Sequence, residues 1–270
     1  MTDTPALSAR DLTKIYRRSH LGRTRSSLGV EGVTFSINAG EVFGLLGLNG
    51  SGKTTTLKLL LGLLFPTRGE VRILGAPAGS RAVQESIGFL PEIPYFYKFL
   101  SGREVLSFYG RLSGLPPRLL KPRIEETLAA VRMTENAHRP MREYSKGMLQ
   151  RIGLAQSMLH DPKILIFDEP VTGLDPLGLR EMREIIQGLN QKGKTVLFSS
   201  HSISEVEKLC HRVGILVKGR LVRVVERKEW AVEHGRLEDL FVQTVAPDHE
   251  APRIGGSHAP SVASPASGRP

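Results

Sequence analysis

Residues 41–54 read Glu41-Val-Phe-Gly-Leu-Leu46-Gly47-Leu-Asn-Gly-Ser-Gly52-Lys53-Thr54. A strand-like stretch from Glu41 to Leu46 runs into the pattern GxxxxGK[ST], and Lys53 to Leu64 is apolar nearly all round, as in a helix buried on most sides. Glycines let such a loop curl until successive N–H groups point at phosphate oxygens. The Lys53 side chain has the reach for β- and γ-phosphates, and the Thr54 hydroxyl suits Mg²⁺. A helix N-terminus adds its positive end to the same anion. Gly47, Asn49, Gly50, Ser51, Gly52, Lys53, Thr54 and Thr55 are therefore the candidate phosphate-binding set.

Further along, Ile164-Leu-Ile-Phe167 is a continuous apolar run, expected of a strand buried on both faces of a parallel sheet. It ends in Asp168 and Glu169. Ligands of open α/β sheets bind at the carboxyl ends of strands, so Asp168 is placed to hold Mg²⁺ and Glu169 to take a proton from water. Thr195 to Ser199 is a similar strand, and His201 follows it. Val33 to Ile37 alternates apolar and polar residues, as a half-buried strand does. Residues 17–29, polar, basic and rich in Gly and Ser, read as a loop. Its arginines would lie near anionic headgroups or acidic loops of a partner.

The middle of the chain is mainly helical. Ser101-x-x-Glu104 and Ser202-x-x-Glu205 both have the form of a capping box, and Ser145 is placed to cap a helix running to about His160. Gly214 to Val217, a Lys218-Gly219 turn and Leu221 to Val225 make a hairpin. From about residue 246 the chain turns to Pro, Ala, Gly and Ser, and a disordered tail is expected.

With 270 residues, 40% of them apolar, there is material for one substantial core. The net charge of +10 favours an acidic partner without choosing among polyphosphate, lipid and nucleic acid. The single cysteine, Cys210, excludes an internal disulfide framework and fits a reducing compartment. No stretch has the roughly 18 consecutive apolar residues of a membrane span, and no secretory signal is visible at the start.

The order of these elements resembles the ATP-binding cassette (ABC) ATPases. It runs from the P-loop to Glu92, Tyr144-Ser-Lys-Gly-Met148, Asp168-Glu169, Gly173-Leu-Asp175 and His201, and covers about residues 7–225. The resemblance implies a P-loop NTPase of α/β class. Its core would have a mainly parallel sheet, an N-terminal antiparallel β subdomain and an inserted helical subdomain at about 94–160. The ATPase domain would span 1–235, with 236–270 as a short extension.

By the same resemblance, Tyr16 stacks on adenine and Glu92 stands where the family usually has a Mg²⁺-sensing glutamine that contacts a membrane subunit. Ser145 and Gly147 touch the γ-phosphate of ATP on the other subunit, Asp175 lies at the dimer interface, and His201 contacts the γ-phosphate. Lys53, Glu169 and His201 form the implied catalytic set, and Thr54, Glu92 and Asp168 the Mg²⁺ set. Leu48, Ser51, Lys146 and Met148 depart from the usual Pro, Ala, Gly and Gln.

The implied protein is an ATPase subunit, paired as a homodimer and peripheral to the cytoplasmic face of a membrane. It would use Mg·ATP to drive a separate permease, with the signature variant resembling the ABC-2-type exporter branch and no nucleic acid as partner. A soluble ABC ATPase acting on nucleic acid or ribosomes, or an ATP sensor, is the alternative; neither a second cassette nor a long coiled coil supports the former.

Overall fold

The computed structural model describes residues 4–20, 23–231 and 236–250. The chain opens with two long antiparallel strands, β1 (Leu7–His20) and β2 (Arg23–Ile37). Residues 17–29 are thus not the expected loop over most of their length: Arg17 pairs with Ser26, Arg18 with Arg25 and His20 with Arg23. A polar composition reports exposure to water, whereas ladder pairing is set by backbone groups already aligned in the adjoining strands. The reading of this stretch as a loop is corrected accordingly.

After β3 (Val42–Leu46) and α1 (Lys53–Leu60) come β4 (Arg68–Ile73), β5 (Ala76–Pro77), α2 (Arg81–Gln84) and β6 (Ile87–Leu90). Helix α1 stops before the apolar run does, because Gly62 takes a φ of 70° and the amides of Leu63 and Leu64 turn back to the Lys58 carbonyl at 2.9 and 3.1 Å. Three helices follow: α3 (Gly102–Leu112), α4 (Pro117–Ala130) and α5 (Lys146–Met158). The chain then returns to β7 (Ile164–Asp168), α6 (Pro176–Gln191), β8 (Thr195–Ser200) and α7 (Ile203–Leu209). It closes with β9 (Arg212–Val217), β10 (Arg220–Glu226), α8 (Arg227–Trp230) and α9 (Arg236–Glu250).

One sheet is antiparallel, in the order β2-β1-β4-β5. The other has the order β10-β9-β3-β8-β7-β6 and is parallel except for the edge strand β10. Successive residues of a strand face opposite sides, and the parallel sheet uses both. Phe43, Leu45, Ile164, Ile166 and Leu197 join a core shared with the antiparallel sheet and α1. Val42, Leu46, Leu165, Phe167, Val196 and Phe198 join a second core under the helices. Burial on both faces is the reason these strands read as unbroken apolar runs. The α/β class, the antiparallel N-terminal sheet and the helical insertion stand as expected.

Of the two capping boxes, Ser101 forms one: its Oγ accepts from the Glu104 amide at 3.3 Å and Glu104 Oε2 accepts from the Ser101 amide at 2.7 Å. Ser202 makes no side-chain cap. Glu205, which would complete that box, is itself buried and drawn into a pair with the partly exposed Arg183 at 3.3 Å. The C-terminal stretch is also more ordered than its composition predicts over residues 246–250, which close α9. Leu237, Leu240, Phe241 and Val245 of that helix are buried in the helical-side core. Residues 251–270, the rest of the expected tail, lie outside the described residues.

Candidate functional site

Four carboxyl ends of the parallel sheet meet at one edge. β3 delivers the P-loop, β7 delivers Asp168 and Glu169, β8 delivers His201, and β6 leads to Glu92. Between them and the β1–β2 pair lies a cleft of about 630 Å³. Its walls hold ten of the sequence-predicted residues: Tyr16, Asn49, Gly50, Gly52, Lys53, Thr54, Thr55, Glu92, Glu169 and His201. Gly47, Ser51 and Asp168 stand behind the wall.

The loop is shaped by close backbone contacts. Gly52 adopts a φ of 105°, and a Cβ there would come within 2.8 Å of the Gly29 carbonyl oxygen and of Val30. Only glycine fits such a position. Outside, the Ser51 carbonyl accepts from the Gly219 amide at 2.8 Å, tying the loop to the β9–β10 turn. Inside, the Lys53 ammonium donates to the Gly47 and Leu48 carbonyls at 2.8 and 3.3 Å and lies 3.2 Å from Glu169 Oε1.

Glu169 is the most constrained residue of the site. Its φ of 49° is left-handed, which costs an L residue about 1–2 kcal/mol. Two bonds hold it there. Its amide donates to Ser199 Oγ at 2.9 Å, and its carbonyl accepts from the Thr172 amide at 3.2 Å. The side chain is fixed as well, with Oε2 accepting from Thr172 Oγ1 at 3.0 Å and from His201 Nδ1 at 2.8 Å. Ser199, wholly buried, spends its one hydroxyl proton on Asp168 Oδ1 at 2.6 Å. One hydroxyl therefore orients both adjacent carboxylate residues.

Tyr16 stands on β1 at the far wall. Its hydroxyl lies 3.2 Å from Thr55 Oγ1, and the Lys14 ammonium sits 5.7 Å from its ring centre. The ring packs so closely on Gly29 that a Cβ there would lie 2.7 Å from it.

The remaining predicted residues are elsewhere. Ser145 caps α5, accepting from the Met148 amide at 3.3 Å, and Asp175 caps α6, accepting from the Gly178 amide at 2.7 Å. Ser145 and Asp175 are exposed, Gly147 is partly so, and none of the three lines the cleft. Behind them Tyr144 anchors the turn by donating to the Asn136 carbonyl at 2.7 Å; burial pushes its phenol up from the ordinary range.

Ser27, Leu28, Gly29 and Thr172 also line the cleft, and Ser199 supports it; sequence reasoning passed over all five. The register of β1 with β2 brings residues 27–29 beside Tyr16, a pairing no local pattern announces. For Thr172 the signal was its place three residues after Glu169, the separation at which a turn closes on itself.

The ABC transporter family profile matches residues 30–172. An uncharacterised ABC transporter ATP-binding protein of Nostoc sp. is 45% identical over 214 residues, 78% of this chain and 64% of that protein. The match thus spans less than two thirds of the relative's length. The bacitracin transport ATP-binding protein of Bacillus licheniformis is 37% identical over 218 residues, 80% of this chain and 68% of that protein. A solved structure of an ATP-binding subunit of an ABC transporter superposes with a TM-score of 0.75 at 29% identity, over 89% of this chain and 99% of that one.

Proposed function

This chain belongs to the ABC transporter family, and from that premise we propose that it is the subunit that binds and hydrolyses ATP to drive a separate membrane permease, in the direction of export. The observation that carries the reading is the meeting of Lys53, Glu169 and His201 in one cleft, with Glu169 bonded to His201 and 3.2 Å from Lys53.

ATP would lay its adenine on the Tyr16 ring and its phosphates along the amides of Gly47 to Thr55. Lys53 then exchanges its loop carbonyls for phosphate oxygens. Glu169 accepts a proton from the attacking water, whose oxygen bonds to the γ-phosphorus as the bond to the β-phosphate oxygen breaks, giving ADP and phosphate. The His201 ring is held through Nδ1 by Glu169, which leaves its other nitrogen to contact the γ-phosphate.

The donor set fits Mg²⁺: Thr54 offers an exposed hydroxyl, and Asp168 keeps one carboxylate oxygen clear of Ser199. When bound there with phosphate oxygens, the ion would neutralise developing charge. Glu92 on the cleft wall adds a third oxygen donor.

Two exposed surfaces support partners. Ser145 and Gly147 open a helix N-terminus outside the cleft, which suits ATP held by a second copy. Beside Glu92, the side chains of Ile93, Tyr95, Tyr97, Phe99, Phe108 and Leu112 stand exposed, Tyr95 at 83%. Clustered exposed apolar groups mark interaction sites. No helix among the described residues is long and apolar enough to cross a membrane; placement at the cytoplasmic face would come through the permease.

The test is to trap the Glu169→Gln protein with ATP in its native cells and identify what co-purifies in mild detergent. A polytopic membrane protein is the expected result. Ribosomes, nucleic acid or soluble proteins alone would overturn the transporter reading and leave the ATPase reading standing.

A further inference from the structure

We propose that Thr172 is a positioning residue for hydrolysis, one that divides the two oxygens of Glu169 between anchoring and proton acceptance. This inference rests on the reading of Glu169 as the general base.

The four residues Glu169-Pro-Val-Thr172 form a turn closed by the Thr172 amide on the Glu169 carbonyl at 3.2 Å. The same turn brings the Thr172 hydroxyl back to Glu169 Oε2 at 3.0 Å, where His201 Nδ1 also arrives at 2.8 Å. Oε2 thus receives two hydrogen bonds. Oε1 receives none and faces only the Lys53 ammonium at 3.2 Å. Once phosphate draws Lys53 away, Oε1 is the oxygen with free lone pairs, held in a fixed direction by the two bonds on its twin. A carboxylate gripped at one oxygen cannot rotate about its terminal torsion, which is otherwise soft. Thr172 lines the cleft, so this grip acts at the site itself.

The alternative for a hydroxyl here is mere closure of the turn. The two differ in what they move. Loss of a turn-closing bond alone acts on folding stability, whereas loss of the grip on Oε2 lowers kcat, leaves the KM for ATP alone and is restored only by a hydroxyl.

The experiment measures steady-state ATP turnover of the purified full-length protein over a range of ATP concentrations for Thr172→Val, which keeps the shape, and Thr172→Ser, which keeps the hydroxyl. For the valine variant kcat should fall about tenfold, the order of one charge-assisted hydrogen bond. Its KM for ATP should stay within about twofold, because phosphate binding lies with the P-loop. The serine variant should recover kcat. In a Glu169→Gln background the valine substitution should cost almost nothing more.

An unchanged kcat in Thr172→Val overturns the proposal, as does a serine variant as impaired as the valine one. So does an equal further loss in the Glu169→Gln background. Full turnover by Glu169→Gln alone would instead remove the underlying reading of Glu169, whatever Thr172 does.

Discussion

Lys53 and Glu169 face each other across the cleft with the ammonium 3.2 Å from Oε1, and both side chains are more than nine-tenths buried. In the absence of phosphate the two groups neutralise one another. On the proposed function, the lysine that holds the substrate's charge is thereby kept paired beside the carboxylate that acts on water.

Removing one partner leaves the other buried and uncompensated. Lys53→Met should lower the nucleotide-free unfolding free energy by about 3–5 kcal/mol. The double variant Lys53→Met, Glu169→Gln should regain most of that. Urea unfolding without nucleotide measures both. Equal stability of the single variant and the parent would show that the pair contributes nothing to the resting fold.

Glu169→Gln keeps the shape of the side chain and removes its basicity. Turnover should drop by about a hundredfold or more, the range of a lost general base. ATP should still bind, and dimers should accumulate in its presence. Chromatography with light scattering, beside a phosphate-release assay, distinguishes this from a simple loss of binding.

Gly52→Ala should abolish nucleotide binding. The added Cβ meets the Gly29 carbonyl at 2.8 Å at a φ of 105°, so the loop itself must move. Gly40→Ala is the control. It has a φ of 70° with nothing within 4 Å, so it should cost about 1–2 kcal/mol of stability and leave binding intact. Calorimetric titration of ATP separates the two.

Ending the chain at residue 235 should destabilise it, although α9 lines no part of the cleft. Leu237, Leu240, Phe241 and Val245 fill part of the core under the helices. Phe241→Ala alone should cost about 3 kcal/mol. Thermal unfolding is the readout, and a truncated protein as stable as the parent would show α9 to be an appendage.

His160 is partly buried with Nε2 on the Ile87 carbonyl at 2.9 Å, and burial holds its pKa below the usual imidazole value. The unfolded chain therefore binds this proton first as pH falls, and stability drops as pH descends from about 6.5 toward the lowered value. Unfolding midpoints from pH 7.5 to 5 should decline less steeply for His160→Gln than for the parent.

Much of this was legible in the chain alone. The spacing of Gly47, Gly52, Lys53 and Thr54 specifies a phosphate loop because only a curled glycine backbone beside a helix N-terminus satisfies it. The apolar runs ending in Asp168-Glu169 and before His201 specify buried parallel strands. Local chemistry is enough there, since each element is decided by its own residues. Composition misled where pairing is non-local: the basic stretch after Tyr16 is ladder backbone because β2 lies opposite, and residues 246–250 stay helical as the end of a helix docked on the core.

The contacts of Thr172 and Ser199 were decided only by the tertiary structure. A threonine or a serine has no distinctive pattern, and its meaning depends on which atom lies 3 Å away. The closing of one turn sets Thr172 Oγ1 on Glu169 Oε2 at 3.0 Å, and the packing of β8 against β7 sets Ser199 between Asp168 and Glu169 at 2.6 and 2.9 Å. The sequence supplies the reacting groups, and the fold supplies the directions in which their lone pairs and protons point, because hydrogen bonds decay steeply with distance and angle.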